Sequence, residues 1–243
     1  MALKADAARY YLGYIWWILE PLLYVAVFYV VFDIVLGFGR GDYLIFLICG
    51  KLPFVWFSKT VTQASGSIVA NAGLIGKIDV PKALFPMAVV QEGLYKQLAV
   101  FLLLFALVLA FGHPLTRAWI WLVPLIAVQY LMIVACSLVG AVLVCFVRDF
   151  SMLISLAMIF LMFTSGIFWD ARSLSDPAMA ELVLTANPLA FILDAYRQVL
   201  MHGTRPELAH LLLIGLGSAA LIALAVRFIE RMSRLLALKA LTA

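Results

Sequence analysis

Charge is scarce in this sequence. Only 12% of its 243 residues are Asp, Glu, Lys or Arg, against roughly a quarter in soluble domains. Hydrophobic residues make up 66%, and the mean hydropathy is +1.12. These values exclude a water-soluble globular domain and predict an integral membrane protein. Cysteine and histidine are sparse too, with three of each. Cys49, Cys136 and Cys145 all fall in apolar runs without metal-ligand spacing, so they read as small apolar residues. His113, His202 and His210 form no cluster, which argues against a metal site.

Catalytic signatures are missing as well. Gly50-Lys51 and Gly76-Lys77 imitate the end of a phosphate-binding loop, but Leu52 and Ile78 stand where a hydroxyl must hold magnesium. There is no G-x-S-x-G, no H-E-x-x-H and no paired His/Cys set. The chain is therefore expected to be no enzyme and to bind no cofactor; if the process is powered, ATP and magnesium sit on a separate subunit. The net charge of +4 is scattered rather than striped, which argues against nucleic acid as a partner. No repeat, low-complexity tract or soluble domain interrupts residues 1–243, so a single transmembrane domain is expected. The opening MALKADAARYYLGY lacks an isolated apolar core followed by a cleavage site, so no cleavable signal peptide is expected.

What is present is a series of apolar runs. A helical span needs about 20 such residues. The runs predict an all-α protein with six transmembrane helices, at about 15–36, 43–68, 86–111, 118–146, 150–169 and 208–228. Residues 1–14, with Lys4, Asp6, Arg9 and three tyrosines, predict an N-terminal interfacial helix. A basic tail follows the sixth span. Counting Lys and Arg at or beyond the ends of the spans puts Lys4, Arg9, Lys77, Lys82, Arg148, Arg227, Arg231, Arg234 and Lys239 on one side. Arg40, Arg117, Arg172, Arg197 and Arg205 fall on the other. Nine against five makes both termini cytosolic.

Two interruptions stand out. The first, 70–85, carries Gly73, Gly76, Lys77, Asp79, Pro81 and Lys82. Pro81 stops any helix entering from the left, and Pro86 suits the first turn of a new one. Between them Asn71 is placed to cap a short helix, Ala72 to Lys77, with Leu74, Ile75 and Ile78 as its apolar contacts. This predicts a cytosolic helical knuckle between spans two and three, suited to being pushed by an external partner. The second interruption, 170–206, predicts two short helices lying at or dipping into the outer surface. Asp176 caps the first, with Pro177 at its first position, and Asn187-Pro188 begins the second, which stops at Gly203. The second is amphipathic, with Asp194, Arg197 and Gln198 on one face.

Along the first span Trp17, Tyr24, Phe28 and Phe32 fall on one helical stripe, and Phe160 and Phe163 add to the aromatic set in the fifth. Aromatic faces stack on the C–H faces of sugar rings, so the stripe suits a glycan path; lipid contact at the membrane boundary is the alternative. Charges within spans also draw notice. Glu92 and Lys96 lie four apart and can neutralise each other, and Lys51 lies at a depth similar to Asp33.

These features in this order resemble the membrane subunits of bacterial ABC exporters for O-antigen and capsular polysaccharide. Leu12-Gly13-Tyr14-Ile15-Trp16 and Leu19-Glu20-Pro21-Leu22 are similar to that family's approach to the first span. Asn71-x-x-Leu74-Ile75 with Lys77 and Pro81 is similar to its knuckle, and Phe146-Val147-Arg148-Asp149 to its turn before the fifth span. Ser165-Gly166-Ile167-Phe168, Asn187-Pro188-Leu189 and Tyr196-Arg197 with Gly203 are similar to its tail. The likeness covers almost the whole chain. It departs where the leader before Arg9 is short and where Gly166 stands in place of a frequent proline.

The resemblance implies a homodimer with two copies of an ABC ATPase subunit, in the bacterial inner membrane, exporting a lipid-linked polysaccharide to the periplasm. It implies that Asn71, Leu74, Ile75, Lys77, Asp79, Lys82 and Arg9 form the surface coupled to the ATPase, with Arg148 and Asp149 as a second contact. It implies a channel between spans one and five of both copies, gated outside by the short helices with Asn187, Pro188, Tyr196 and Arg197. Two other functions remain open at this point. One is a permease for a drug or simple lipid. The other is an intramembrane enzyme acting on polyprenyl-phosphate sugars, whose acid group would have to come from Asp170, Asp176 and Glu181.

Overall fold

The computed structural model describes residues 16–35, 41–78 and 80–242. Arg9, Asp79 and the interfacial helix expected over 1–14 lie outside the described residues, as does the side chain of Phe32. Among the described residues there are helices and turns and no strand.

Helix α1 (Trp16–Phe28) contains Pro21 and runs on into a wider π-helical stretch, Tyr29–Val35. Helix α2 (Gly41–Ser65) is followed by two single-turn pieces, α3 (Ser67–Ala70) and α4 (Ala72–Ile75). Helix α5 (Leu84–Ala110) carries Pro86 in its first turn, and α6 (Leu122–Phe146) carries Pro124 in its own, where the missing N–H costs no hydrogen bond. A tight 3₁₀ segment, Arg117–Trp121, leads into α6. Then come α7 (Phe150–Thr164), α8 (Pro177–Ala186), α9 (Pro188–Leu200), α10 (Leu208–Arg231) and α11 (Ser233–Thr242).

Among the described residues, four stretches are long and apolar enough to cross a bilayer: Asp42–Ser65, Leu84–Ala110, Arg117–Phe146 and Leu208–Arg231. They coincide with the predicted spans two, three, four and six. The pair α8–α9 would make a fifth if counted as one broken span. The chain is thus a multi-pass, all-α membrane protein. The first and fifth predicted spans are apolar helices too, but shorter as α-helix, at 13 and 15 residues. The fifth stops at Thr164 rather than Trp169 because Gly166 takes a φ of +69°, a left-handed conformation that a β-carbon disfavours.

The described residues divide into two compact units. One takes Met1–Val55, Leu94–Val123 and Ser165–Pro206; the other takes Trp56–Gly93, Pro124–Thr164 and Glu207–Ala243. The first is centred on Ile45, Leu47, Ile48, Leu104, Ile192, Leu193 and Tyr196, all at most 1% exposed. Tyr196 stacks on Phe101 with ring centroids 5.9 Å apart. The second packs through small residues. A β-carbon on Gly93 would stand 2.5 Å from Thr60 Oγ1, and one on Gly140 would collide with Ser65 Oγ. Lipid tails are as apolar as leucine, so close van der Waals fit of this kind, more than burial from water, holds membrane helices together. Ser65 spends its hydroxyl on its own helix, donating to Val61 O at 2.7 Å.

Candidate functional site

In the second unit the knuckle forms where the sequence places it. Lys77 N and Ile78 N both donate to Leu74 O, so hydrogen-bonded turns continue past the end of α4 at Ile75. Asn71 behaves differently from expectation. It sits at the junction of α3 and α4, but its side chain makes no cap to α4; its Nδ2 donates backwards to Ser67 O at 2.8 Å. The reason is local geometry. With ψ at 20° the Asn71 side chain is not extended toward the following N–H groups, whereas α3 leaves carbonyls open at its end. Asn71 therefore welds two short helices into one corner.

Ile75 is buried, whereas Leu74 and Ile78 are 45% and 49% exposed. Lys77 is exposed and Lys82 is buried. The residues after the sixth span are not a loose tail. They form α11, which packs against α3 and α4. Leu236 and Ala240 are fully covered, Cys145 Sγ donates to Leu236 O at 3.4 Å, and Leu241 closes on Gly76. Knuckle and α11 enclose a groove of about 740 Å³, with Ile75, Lys77, Ile78 and Lys82 on one wall and Glu230, Arg231, Arg234 and Ala237 on the other. Sequence reading missed this partnership. Its signal was the apolar pair Leu236 and Ala240, four apart in a largely apolar stretch, 233–242, that carries only two cations, Arg234 and Lys239. Also in this unit, Arg148 and Asp149 are exposed in the tight turn between α6 and α7.

In the first unit, α8 and α9 meet at an angle of 107°. Asp176 Oδ1 accepts from Ala178 N at 2.9 Å, capping α8 behind Pro177 as expected. Asn187 Oδ1 accepts from Leu189 N and Ala190 N at 3.1 and 3.2 Å, capping α9 in front of Pro188. Its Nδ2 donates to Ser165 Oγ at 3.0 Å, tying the corner to the segment after α7. Asn187→Ala is expected to cost about 1–2 kcal/mol from the cap and this bond together, read as a lower Tm in detergent, with Asn187→Asp recovering the cap alone.

The second outer helix does not lie on the surface. Every residue from Leu189 to Leu200 is buried. Its polar face is satisfied from within. Arg172 grips Asp194 with Nε at 3.1 and 3.0 Å from the two carboxylate oxygens and Nη2 at 2.8 Å from Oδ2. Gln198 Nε2 adds a third donor at 2.6 Å. Arg197, 4% exposed, donates Nε to Phe46 O and Nη2 to Ile167 O, both at 3.2 Å. Its Cζ lies 3.6 Å from the Phe46 ring centroid, and its guanidinium occupies the space a side chain at Gly50 would need. The glycine of the false phosphate loop is thus a seat for an arginine. Asp170 accepts from Arg172 N and Asp176 caps α8, so two of the three outer acids are spent on backbone groups rather than gathered for acid–base chemistry.

The aromatic residues are only partly brought together. Lys96 Nζ stands 5.7 Å over the Trp17 ring, Lys51 Nζ 5.8 Å over Tyr24, and Phe28 meets Phe168 edge-on at 6.5 Å. Phe160 and Phe163 are 67% and 57% exposed on α7. Among the described residues no group of three metal-ligating side chains converges.

No protein-family model matches the chain. It is similar to two proteins from Klebsiella pneumoniae, each called O-antigen export system permease protein RfbA. One is 30% identical over 195 residues, covering 79% of this chain and 74% of that protein. The other is 30% identical over 193 residues, covering 79% and 73%. A protein of the same name from Myxococcus xanthus is 23% identical over 220 residues, covering 90% and 85%.

Proposed function

The chain belongs to the family of O-antigen export permeases, and on that premise we propose that it is the membrane subunit of an ATP-driven exporter of lipid-linked polysaccharide. It would act as a homodimer with two ABC ATPase subunits in the bacterial inner membrane, carrying its cargo from cytosol to periplasm. Both termini face the cytosol. Six spans are formed by α1 with its π-helical continuation, α2, α5, the stretch 117–146, α7 and α10, while α8 and α9 enter from the outer face and return. The family membership carries this reading.

Two features of the fold support its parts. The first concerns the dimer: α7 has no buried residue, and α1 buries only Pro21 among its described side chains. Helices that bury so little within one copy suit a seam lined by two, with Trp17, Tyr24, Phe28, Phe160 and Phe163 offering ring faces to a glycan. The second concerns coupling. The knuckle holds Leu74 and Ile78 out to solvent on a corner braced by Asn71 and supported on Ile75. ATP binding on the partner subunits would push this corner through Leu74, Lys77 and Asp79, with Arg9, Arg148 and Asp149 as side contacts, while Lys82, buried, would brace the corner from within. Asn187, Pro188, Tyr196 and Arg197 would hold the outer gate. No observation favours a drug or simple-lipid permease, or an intramembrane enzyme.

The test is purification of the chain from its native membranes, followed by an ATPase assay. A nucleotide-binding subunit is expected to co-purify in equal amount, and Leu74→Asp is expected to release it or abolish its stimulation by the permease. Purification of the chain alone, under conditions that keep it folded, would sink the exporter reading.

A further inference from the structure

We infer that the groove between the knuckle and α11 is a receptor for an acidic segment of the ATPase subunit, so that coupling runs through two interlocking surfaces rather than one protruding corner. The inference rests on the reading of residues 70–85 as the surface that meets the ATPase, and it adds α11 to that surface.

Charge is the first argument. The groove is lined by four cations, Lys77, Lys82, Arg231 and Arg234, and one carboxylate, Glu230. Lys77, Arg231 and Arg234 are exposed, and among the described residues none makes an ion pair with them. Four cations against one carboxylate leave the hollow net positive, and such a field steers an oppositely charged partner in. Shape is the second argument. The hollow of about 740 Å³ is large enough for several side chains, and Ile75, Ile78 and Ala237 give it apolar surface between the charges. Asp or Glu together with an apolar neighbour on one turn of helix would meet both kinds of wall.

The third argument is mechanical. The second wall is itself built on the knuckle. The α11 helix packs on α3 and α4, Leu241 closes on Gly76, and Leu236 is sealed against Cys145. A segment seated in the groove touches the knuckle and the end of the sixth span at once, because Glu230 and Arg231 are the last residues of α10. Force applied there reaches the 24-residue helix α10 directly.

The experiment uses the intact complex. Arg231→Glu with Arg234→Glu is expected to cut retention of the ATPase roughly tenfold or more, because like charges then face an acidic partner. Arg231→Lys with Arg234→Lys is expected to retain it, showing that charge and not fold is at issue. A photo-reactive phenylalanine analogue at Ala237 is expected to crosslink to the ATPase. Crosslinking to phospholipid instead, with normal ATPase retention in the glutamate pair, would overturn the inference in favour of an anionic-lipid site. If Leu74→Asp releases the ATPase but the glutamate pair does not, this inference falls and the coupling reading stands; if neither does, both fall.

Discussion

Gly50→Val is expected to be the most damaging single substitution in the unit that holds α8 and α9. The new β-carbon would land on the Arg197 guanidinium, which must then leave its seat. Arg197 loses its bonds to Phe46 O and Ile167 O and its stacking on the Phe46 ring. A cation 4% exposed then has neither water nor partners, and the lost charge-assisted bonds alone make a cost of roughly 3 kcal/mol or more. Thermal unfolding in detergent measures this directly, and Gly50→Ala should fall in the same direction. The double variant Gly50→Val with Arg197→Leu is informative, because replacing a buried charge with an apolar group can restore stability. If it recovers Tm but not export, Arg197 holds α9 in its working position. A wild-type Tm for Gly50→Val would remove the seat from the account.

Leu236→Asp is expected to detach α11 and abolish export while leaving insertion into the membrane unchanged. Leu236 is 0% exposed, and burying an unpaired carboxylate there would cost several kcal/mol, more than one short helix can sustain. Once α11 lifts, Ile75 loses its cover and the knuckle loses its support. The measurement is limited proteolysis of residues 233–242 together with ATPase stimulation in the complex. Faster cleavage with at least a tenfold loss of stimulation is expected. Faster cleavage with full stimulation would show that the knuckle needs no support from α11.

The long spans were legible because the signal they need, an unbroken apolar run, is written residue by residue. The caps at Asp176 and Asn187 were legible for a similar reason: each is an acceptor side chain directly before a proline, and the geometry is local. The depth of α9 was not. Asp194, Arg197 and Gln198 form a polar face whether the helix floats on water or is buried among donors and carbonyls, and periodicity cannot tell the two apart. What decides it is Arg172, Phe46 and Ile167, none of them near in sequence. The direction of the Asn71 bond was hidden too, because the same amide can cap forward or brace backward and ψ makes the choice. The end of α7 hinged on one glycine in a left-handed conformation, which an apolar run extending to Trp169 conceals.

The close approaches of α2 to its neighbours have an evolutionary corollary. Thr60 faces Gly93 and Ser65 faces Gly140 with no room for a further atom. Each pair is one volume shared between two positions. Among relatives, a larger residue at 93 or 140 should therefore coincide with a smaller one at 60 or 65, so that these positions drift as pairs and never singly.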